Sequence, residues 1–376
     1  MGRPKNFARG GAIKDSSLEY WSAFAEAVKK KAVSVGLGPV EIAEPRSSRY
    51  EKYSKWVADG MHGEMGYLAR DDRMQRRKDL SVILPGVQSV LVCGLMYWPG
   101  KSAFSENSTS MRGDVSCYAW GTDYHTILGD RLRELALWMH AEAGGSGRWY
   151  VDTGAILERS LAEQSGLGFI GKNTMLINPR YGSGMFLGEI LTTLPLPAST
   201  PKKMPGCGKC TKCQVACPTD AFDDEYVLDA RKCISYLTIE LKGDIPVDLR
   251  PKMGRKVYGC DICQEVCPWN KFDWDGDMKG ASPLFGKVAK DVKTPDLERL
   301  MRMTESEFQE WFAGTAVIRI GRDRLRRNAA VALGNSRDPQ AIPVLKDAIN
   351  DDSELVRSHS RWALDHLLSQ LRTTTS

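Results

Sequence analysis

The chain has 376 residues, 42% of them hydrophobic and 26% charged, with a net charge of +5 at neutral pH. That length exceeds what one hydrophobic core normally supports, so two or three domains are expected, and the charge permits nucleic-acid contact without arguing for it. No apolar run, the stretch Ser89 to Trp98 included, is long enough to span a membrane. The N-terminal MGRPKNFARGGAIKD is basic but has no apolar stretch behind it, so a cytoplasmic protein without a membrane partner is expected. Ten cysteines in such a compartment point to metal or catalysis rather than to disulfides.

From the N-terminus, Leu18 to Val35 carries apolar residues at helical spacing, and Gly36 and Gly38 then break the pattern. A polar, basic stretch from Tyr67 to Asp79 precedes Val87 to Trp98, whose apolar run bounded by Pro85-Gly86 and Pro99-Gly100 reads as a buried strand. A helix over Tyr124 to Glu142 follows, then strands at Trp149 to Val151 and Met185 to Leu194, with a helical Ala155 to Gln164 and glycine-rich turns between them. This alternation gives an α/β or α+β domain over roughly the first 195 residues. Thr193 to Pro205 holds four prolines and reads as a linker. From Pro295 onward the pattern is helical. Asp338-Pro339 and Asp352-Ser353 stand at expected helix starts, and Val356, Ala363, Leu364 and Leu367 line one face, as in a HEAT-type repeat pair.

The chemistry sits between these segments. Cys207, Cys210, Cys213 and Cys217 follow a C-x2-C-x2-C-x3-C spacing with Pro218 behind them; Cys260, Cys263 and Cys267 end likewise on Pro268, and Cys233 stands between. Three thiolates two residues apart can wrap one face of a cubane while the next cysteine is carried toward a second cluster. The assignment is therefore crossed. Cys207, Cys210, Cys213 and Cys267 hold one [4Fe–4S] cluster, and Cys217, Cys233, Cys260 and Cys263 the other. Paired zinc sites are the competing reading, because C-x2-C pairs also hold tetrahedral zinc; the evenly spaced triplet and the twofold C-P ending favour clusters. Cys93 lies in an apolar strand and reads as inert core, whereas Cys117 sits in a polar, aromatic loop that could place it in a pocket.

Eight segments resemble the epoxyqueuosine reductases in that family's order: HGEMGYLAR (62–70), LPGVQSVLV (84–92), YAWGTDYH (118–125), VDTGAILERSLAEQSGLGFIGKNTMLI (151–177), YGSGMFLGEI (181–190), LDARKCISYLTIELKG (228–243), YGCDICQEVCPWN (258–270) and LRRNAAVALGN (325–335). The resemblance implies an α+β architecture: a cobalamin domain similar to nitroreductase-like and reductive-dehalogenase folds over 1–198, a bacterial ferredoxin-like two-cluster domain over 199–275, and a HEAT-like helical tail over 276–376. It implies the reaction as well: the epoxide of epoxyqueuosine in a tRNA anticodon loop is reduced to the alkene of queuosine, with electrons from an external low-potential donor of the flavodoxin or ferredoxin type. A monomer is expected.

The resemblance makes Asp152 the acid that protonates the departing oxygen; from the residues alone it would be a turn or capping aspartate. Thr153-Gly154-Ala155 stands where members often carry a Ser-Ala-Pro-like segment. Arg77 falls where the family has an arginine near the cofactor, with Leu80 where a proline is common. Gly259 and Asp261 flank Cys260 in the loop expected between the second cluster and the corrin. Lys172 and Asn173 follow the GLGFIG turn and are expected at the cofactor or at backbone phosphates, and Cys117 completes the candidate cofactor contacts. The five histidines show no metal-ligand spacing, so cobalt is expected without a protein histidine ligand. Arg319, Arg322, Arg324, Arg326 and Arg327, with Asp323 among them, match an RNA backbone footprint, although such a run is also what a solvated helix face looks like. Two other functions stay open: a cobalamin iron–sulfur reductase of another substrate, such as an organohalide, and a ferredoxin-like electron carrier.

Overall fold

The computed structural model of the chain describes residues 6–14, 17–104, 110–201, 203–270 and 292–374. The helix Leu18–Ser34 starts where the Ser17 side chain accepts from the Tyr20 N–H, and it buries Trp21, Phe24, Val28 and Ala32 at the i, i+3, i+4 spacing of one face. The longer helix Tyr124–Ala143 starts at Asp123, whose carboxylate accepts from the His125 N–H at 3.0 Å, and ends at Gly144, where φ is +82°.

These two helices cover one face of a five-stranded antiparallel sheet. Its spatial order is Phe7–Arg9, Ser146–Tyr150, Met185–Thr192, Ser89–Met96 and Val40–Ala43. The central strand Ser89–Met96 is buried at every position, which is why its sequence shows an unbroken apolar run rather than alternation. Leu91, Cys93 and Leu95 face Leu128, Leu132, Leu135 and Met139. Val90, Val92 and Met96 face the opposite layer, built from Leu80, Ile83, Leu84 and the helix Glu158–Gln164 through Leu161 and Ala162. Each such side chain contributes about 1.5–3 kcal/mol on burial, so the sheet is held from both sides.

The polar stretch read without structure between Tyr67 and Asp79 contains a helix, Asp71–Lys78. Its acidic residues Asp71 and Asp72 sit in the first turn and Arg76, Arg77 and Lys78 in the last, the arrangement the helix dipole favours. Apolar periodicity could not reveal it, because Arg77 is its only buried residue.

Among the described residues beyond Thr192 no strand or helix forms before Lys212, consistent with a linker. The cysteine region is then fastened to the first domain, because Lys256–Tyr258 pairs in parallel with Asp114–Val115 and Trp56 Nε1 donates to the Leu228 carbonyl at 2.7 Å. The tail is helical: Leu297–Arg302, Glu305–Trp311, Arg322–Gly334, Ala341–Ala348 and Glu354–Thr374. Glu305–Trp311 opens with a full capping box between Thr304 and Glu307. The Asp338 carboxylate takes the Gln340 N–H in an Asx turn, so the helix there begins at Ala341, past Pro339. The expected boundary between 275 and 276 lies outside the described residues. No described helix is long and apolar enough to cross a membrane.

Candidate active site and metal centres

Asp152 follows the strand Ser146–Tyr150 and is one of five non-glycine residues with positive φ among the described residues, at +57°. Such a backbone costs an aspartate less than most residues and is held by its surroundings. The Asp152 N–H donates to Glu158 Oε1 at 2.8 Å, and the Arg73 guanidinium donates to the next carbonyl, Thr153 O, at 3.2 Å. The Asp152 side chain is 65% exposed. Its Oδ2 accepts from the Tyr124 hydroxyl at 2.9 Å and lies 3.9 Å from His125 Nε2. Burial, then the neighbouring Asp152 charge, push the Tyr124 hydroxyl far above the usual phenol range, so it stays a donor.

Around this carboxyl lies an aromatic floor. Tyr124 stacks on Phe186 with centroids 4.0 Å apart, and Tyr118 meets Tyr124, Phe186 and Tyr258. Tyr67, partly exposed, and Glu240 feel the Asp152 charge as well, and in both it is burial first that raises the pKa, Tyr67 to about 12. Behind the floor, Asp123 binds His125, and Arg319 of the tail reaches across to both and over the Tyr124 ring. Burial would raise Asp123, but hydrogen bonds from His125 and Arg319 outweigh it and hold the carboxyl at about 2.

Other expected cofactor contacts are placed differently. Arg77 is buried, with its guanidinium over the Tyr53 ring at 5.2 Å. Cys117 is fully enclosed, and burial followed by the nearby Asp261 raises its thiol well above the ordinary range, so the sulfur meets no ligand and the pocket expectation is corrected. Asp261 is equally committed: its carboxylate accepts from the Ser116 hydroxyl at 2.5 Å and the Cys117 N–H at 2.7 Å. It ties the cluster loop to the 116–117 segment rather than facing a cofactor. Gly259 has φ +69°, donates to Thr238 Oγ1 at 2.9 Å, and a Cβ on it would stand 2.5 Å from Ser116 Cβ, so only glycine lets the loop approach this closely. Lys172 and Asn173 lie against the cysteine region and touch both sets: the Lys172 N–H donates to Cys207 Sγ at 3.4 Å, its Nζ pairs with Glu225 at 2.5 Å, and Asn173 Nδ2 donates to the carbonyl of Cys263, in the other set, at 3.4 Å. Residues the sequence did not single out include Glu158 and Glu189; the signal for Glu189 is one acid inside the otherwise apolar strand MFLGEILT.

The cysteines fall into two sets. Cys207, Cys210, Cys213 and Cys267 line one small cavity beside Lys172 and Trp269. Cys233 neighbours Cys217 and Cys260, and Cys263 neighbours Cys260 and Cys233. Burial pushes the Cys260 thiol up to about 12 and raises the Cys263 thiol well above its ordinary range. Thiols packed this way ionise readily only against a bound cationic centre, which is what a cluster's iron supplies. The residues therefore fit iron–sulfur ligation.

The tail arginines divide. Arg327 is fully buried and donates to the carbonyls of Leu237, Leu241 and Gly243; burial lowers it to about 9. Arg326 is buried against Met301 O and the Asp351 carboxylate. Neither can serve as a phosphate contact, and that expectation is corrected. Arg322 and Arg324 instead line an open hollow with Lys242 and Gly321.

Comparison with known proteins agrees with this geometry. The model of "Epoxyqueuosine reductase QueG, DUF1730" matches residues 77–153, the 4Fe-4S double cluster binding domain matches 206–270, and HEAT repeats match 316–367. An epoxyqueuosine reductase of Pseudomonas aeruginosa is 40% identical over 346 residues, covering 90% of this chain and 93% of that protein. The chain belongs to the epoxyqueuosine reductase family. The Escherichia coli member is 38% identical over 343 residues, 90% of this chain and 88% of its own length. Solved family structures superpose closely. One, with an epoxyqueuosine-modified tRNA-Tyr stem loop, has a TM-score of 0.83 at 29% identity and covers 94% of both chains. Another, from Bacillus subtilis, has its catalytic aspartate loop swung out of the active site; it has a TM-score of 0.82 at 28% identity and also covers 94% of both. Two [4Fe–4S] clusters are thus the cofactors of the 206–270 segment, and the tail is of the HEAT type.

Proposed function

We propose that this chain reduces the epoxide of epoxyqueuosine in a tRNA anticodon loop to the alkene of queuosine, releasing the oxygen as water, with Asp152 as proton donor. The observation that carries the reading is the exposed Asp152 carboxyl fixed by the Tyr124 hydroxyl at 2.9 Å, in a chain of this family. With Oδ2 held, Oδ1 is the oxygen left to present a proton outward. Expelling an unprotonated alkoxide is costly near neutral pH, so a positioned acid is what the C–O cleavage requires. The exposed carboxyl over an aromatic floor also fits a large planar cofactor; Asp152 and Tyr67 are the residues that would face a corrin, with Gly259 in the loop between it and the second cysteine set. Bound cobalamin supplies the electrons for the substrate. Gly259 and Asp261 keep the loop close to the 116–118 segment, and Asp123, His125 and Arg319 brace the helix start that carries Tyr124.

Cys207, Cys210, Cys213 and Cys267 would hold one cluster and Cys217, Cys233, Cys260 and Cys263 the other. Arg322 and Arg324, with Lys242, offer phosphate contacts for tRNA beside the site. A low-potential flavodoxin- or ferredoxin-type donor, a monomeric cytoplasmic protein and a division into 1–198, 199–275 and 276–376 complete the reading. The test is nucleoside analysis of epoxyqueuosine-containing tRNA incubated with the anaerobically reconstituted, reduced protein. Conversion to queuosine is expected; unchanged epoxyqueuosine in the presence of full iron and cobalamin content would overturn the assignment.

A further inference from the structure

Glu189 stands in the middle of the central sheet, fully buried, and neither of its carboxyl oxygens has a hydrogen-bond donor. Because those atoms are enclosed, no molecule bound in the open site can supply one. The strand places Glu189 on the side covered by the helix Glu158–Gln164, and the group it meets there is the Glu158 carboxyl. A bare carboxylate in such a place is prohibitive, and two facing carboxylates are worse; one proton between them satisfies both. Glu158 in turn accepts the N–H of Asp152, the residue whose backbone sits in the left-handed region.

We propose that Glu158 and Glu189 share a single proton, and that this carboxyl pair is the positioning latch that holds the Asp152 loop with its acid against Tyr124. Its catalytic consequence rests on Asp152 being the acid; the latch itself does not. That such a loop has a released position is visible in the Bacillus subtilis relative. The charged and titratable groups facing the pair are Asp152, Arg159 and Arg77 around Glu158, and Asp152, Cys93 and the strand partner Tyr150 around Glu189. Burial first, then the Asp152 charge on Glu158 and the Glu158 charge on Glu189, raise both carboxyls.

Glu189 stays enclosed when the loop leaves, so the proton then rests on it while Glu158 ionises in water, and loop release neither takes up nor gives off a proton. Two measurements on the reconstituted holoprotein test the pair and the latch separately. Infrared difference spectra between wild type and Glu189→Gln at about pH 7 should show the loss of a protonated-carboxyl C=O stretch. Glu158→Gln, at a half-buried position, should lose the same band and guards against misfolding of the first variant. Hydrogen exchange of residues 152–156 should keep its wild-type protection in Glu189→Gln, whose amide donates to Glu158. Glu158→Ala should lose that protection and lower kcat by about tenfold with KM unchanged. Absence of the band from both difference spectra overturns the shared proton and means a buried water supplies the donor; wild-type protection in Glu158→Ala overturns the latch. Asp152→Asn keeps the N–H and so the protection, and its turnover tests the acid alone.

Discussion

The Tyr124 hydroxyl and Asp152 Oδ2, 2.9 Å apart, close a helix–strand unit on itself: the start of the helix Tyr124–Ala143 meets the turn that follows the next element of the chain, the strand Ser146–Tyr150. The helix start is itself fixed by Asp123, which caps it and holds His125 and Arg319. An exposed carboxyl is thus aimed by a rigid donor rather than left to choose among rotamers, the preorganisation a proton transfer needs.

Asp152→Asn is expected to keep both clusters and cobalamin while turnover falls by a factor on the order of 10²–10⁴, the usual contribution of a positioned acid. Tyr124→Phe should cost less, about tenfold, because it removes one orienting hydrogen bond and leaves the acid in place. Single-turnover formation of queuosine, measured beside iron and corrin content, separates the two. Near-normal turnover in Asp152→Asn would remove it from the mechanism.

The crossed ligand sets predict unequal lesions. Cys210→Ser should remove the cluster of Cys207, Cys213 and Cys267 and leave the other reducible; Cys263→Ser should do the converse, and about four irons should remain in each case. Low-temperature EPR of the reduced variants reports which signal survives.

The fold was legible where burial leaves a periodic or continuous apolar pattern, as in Leu18–Ser34, Tyr124–Ala143 and Ser89–Met96, and the cysteine spacing pointed to two clusters. The helix Asp71–Lys78 was not, because a helix that buries a single arginine carries no apolar stripe. Charge runs were the least readable feature: Arg322 and Arg327 are five residues apart, yet one lines a hollow and the other is enclosed among carbonyls. Lys172 and Asn173 show the same limit, since a glycine-rich turn fixes a backbone shape and not which of two cofactors it covers. Glu158 and Glu189 are far apart in sequence and meet only because a helix crosses a strand.

His359 gives a pH prediction. It is fully buried in the helix Glu354–Thr374, its Nδ1 bonds Leu355 O at 2.7 Å, and Nε2 accepts from the Ile245 N–H at 3.1 Å. Protonating Nε2 would set two donors head to head. Burial first, then Arg250, lower its pKa to about 4. The unfolded chain takes up that proton below about 6.5 while the folded protein refuses it until about 4, so stability falls as pH drops through that window, by up to about 3 kcal/mol, and levels off below it. Asp123, held at about 2, loses its contribution only at lower pH. Denaturant unfolding of wild type and His359→Gln at about pH 7 and about pH 4.5 should show a smaller drop in the variant; equal drops would exclude His359 as the cause.

The arginine run yields the last prediction, because its members divide by burial. Arg327 donates to three carbonyls of the 237–243 segment, and the adjacent Asn328 donates to Thr238 O and Val257 O, so this pair stitches the helical tail to the cluster region. Arg327→Ala would strand those carbonyls and leave a void, with an expected loss on the order of 3–5 kcal/mol. Arg322 and Arg324 should behave differently. Arg322→Ala with Lys242→Ala alters the open hollow without touching the core, so thermal stability should hold within about 0.5 kcal/mol. If tRNA phosphates sit there, affinity should fall and the slope of log K against log salt should shrink by about 1.4, two single-strand phosphate contacts at about 0.7 each. Binding of an epoxyqueuosine stem loop across a salt series, measured alongside unfolding, reports both quantities on the same proteins. A salt slope identical to wild type in the double variant would show that the hollow is a solvated surface and that tRNA is held elsewhere.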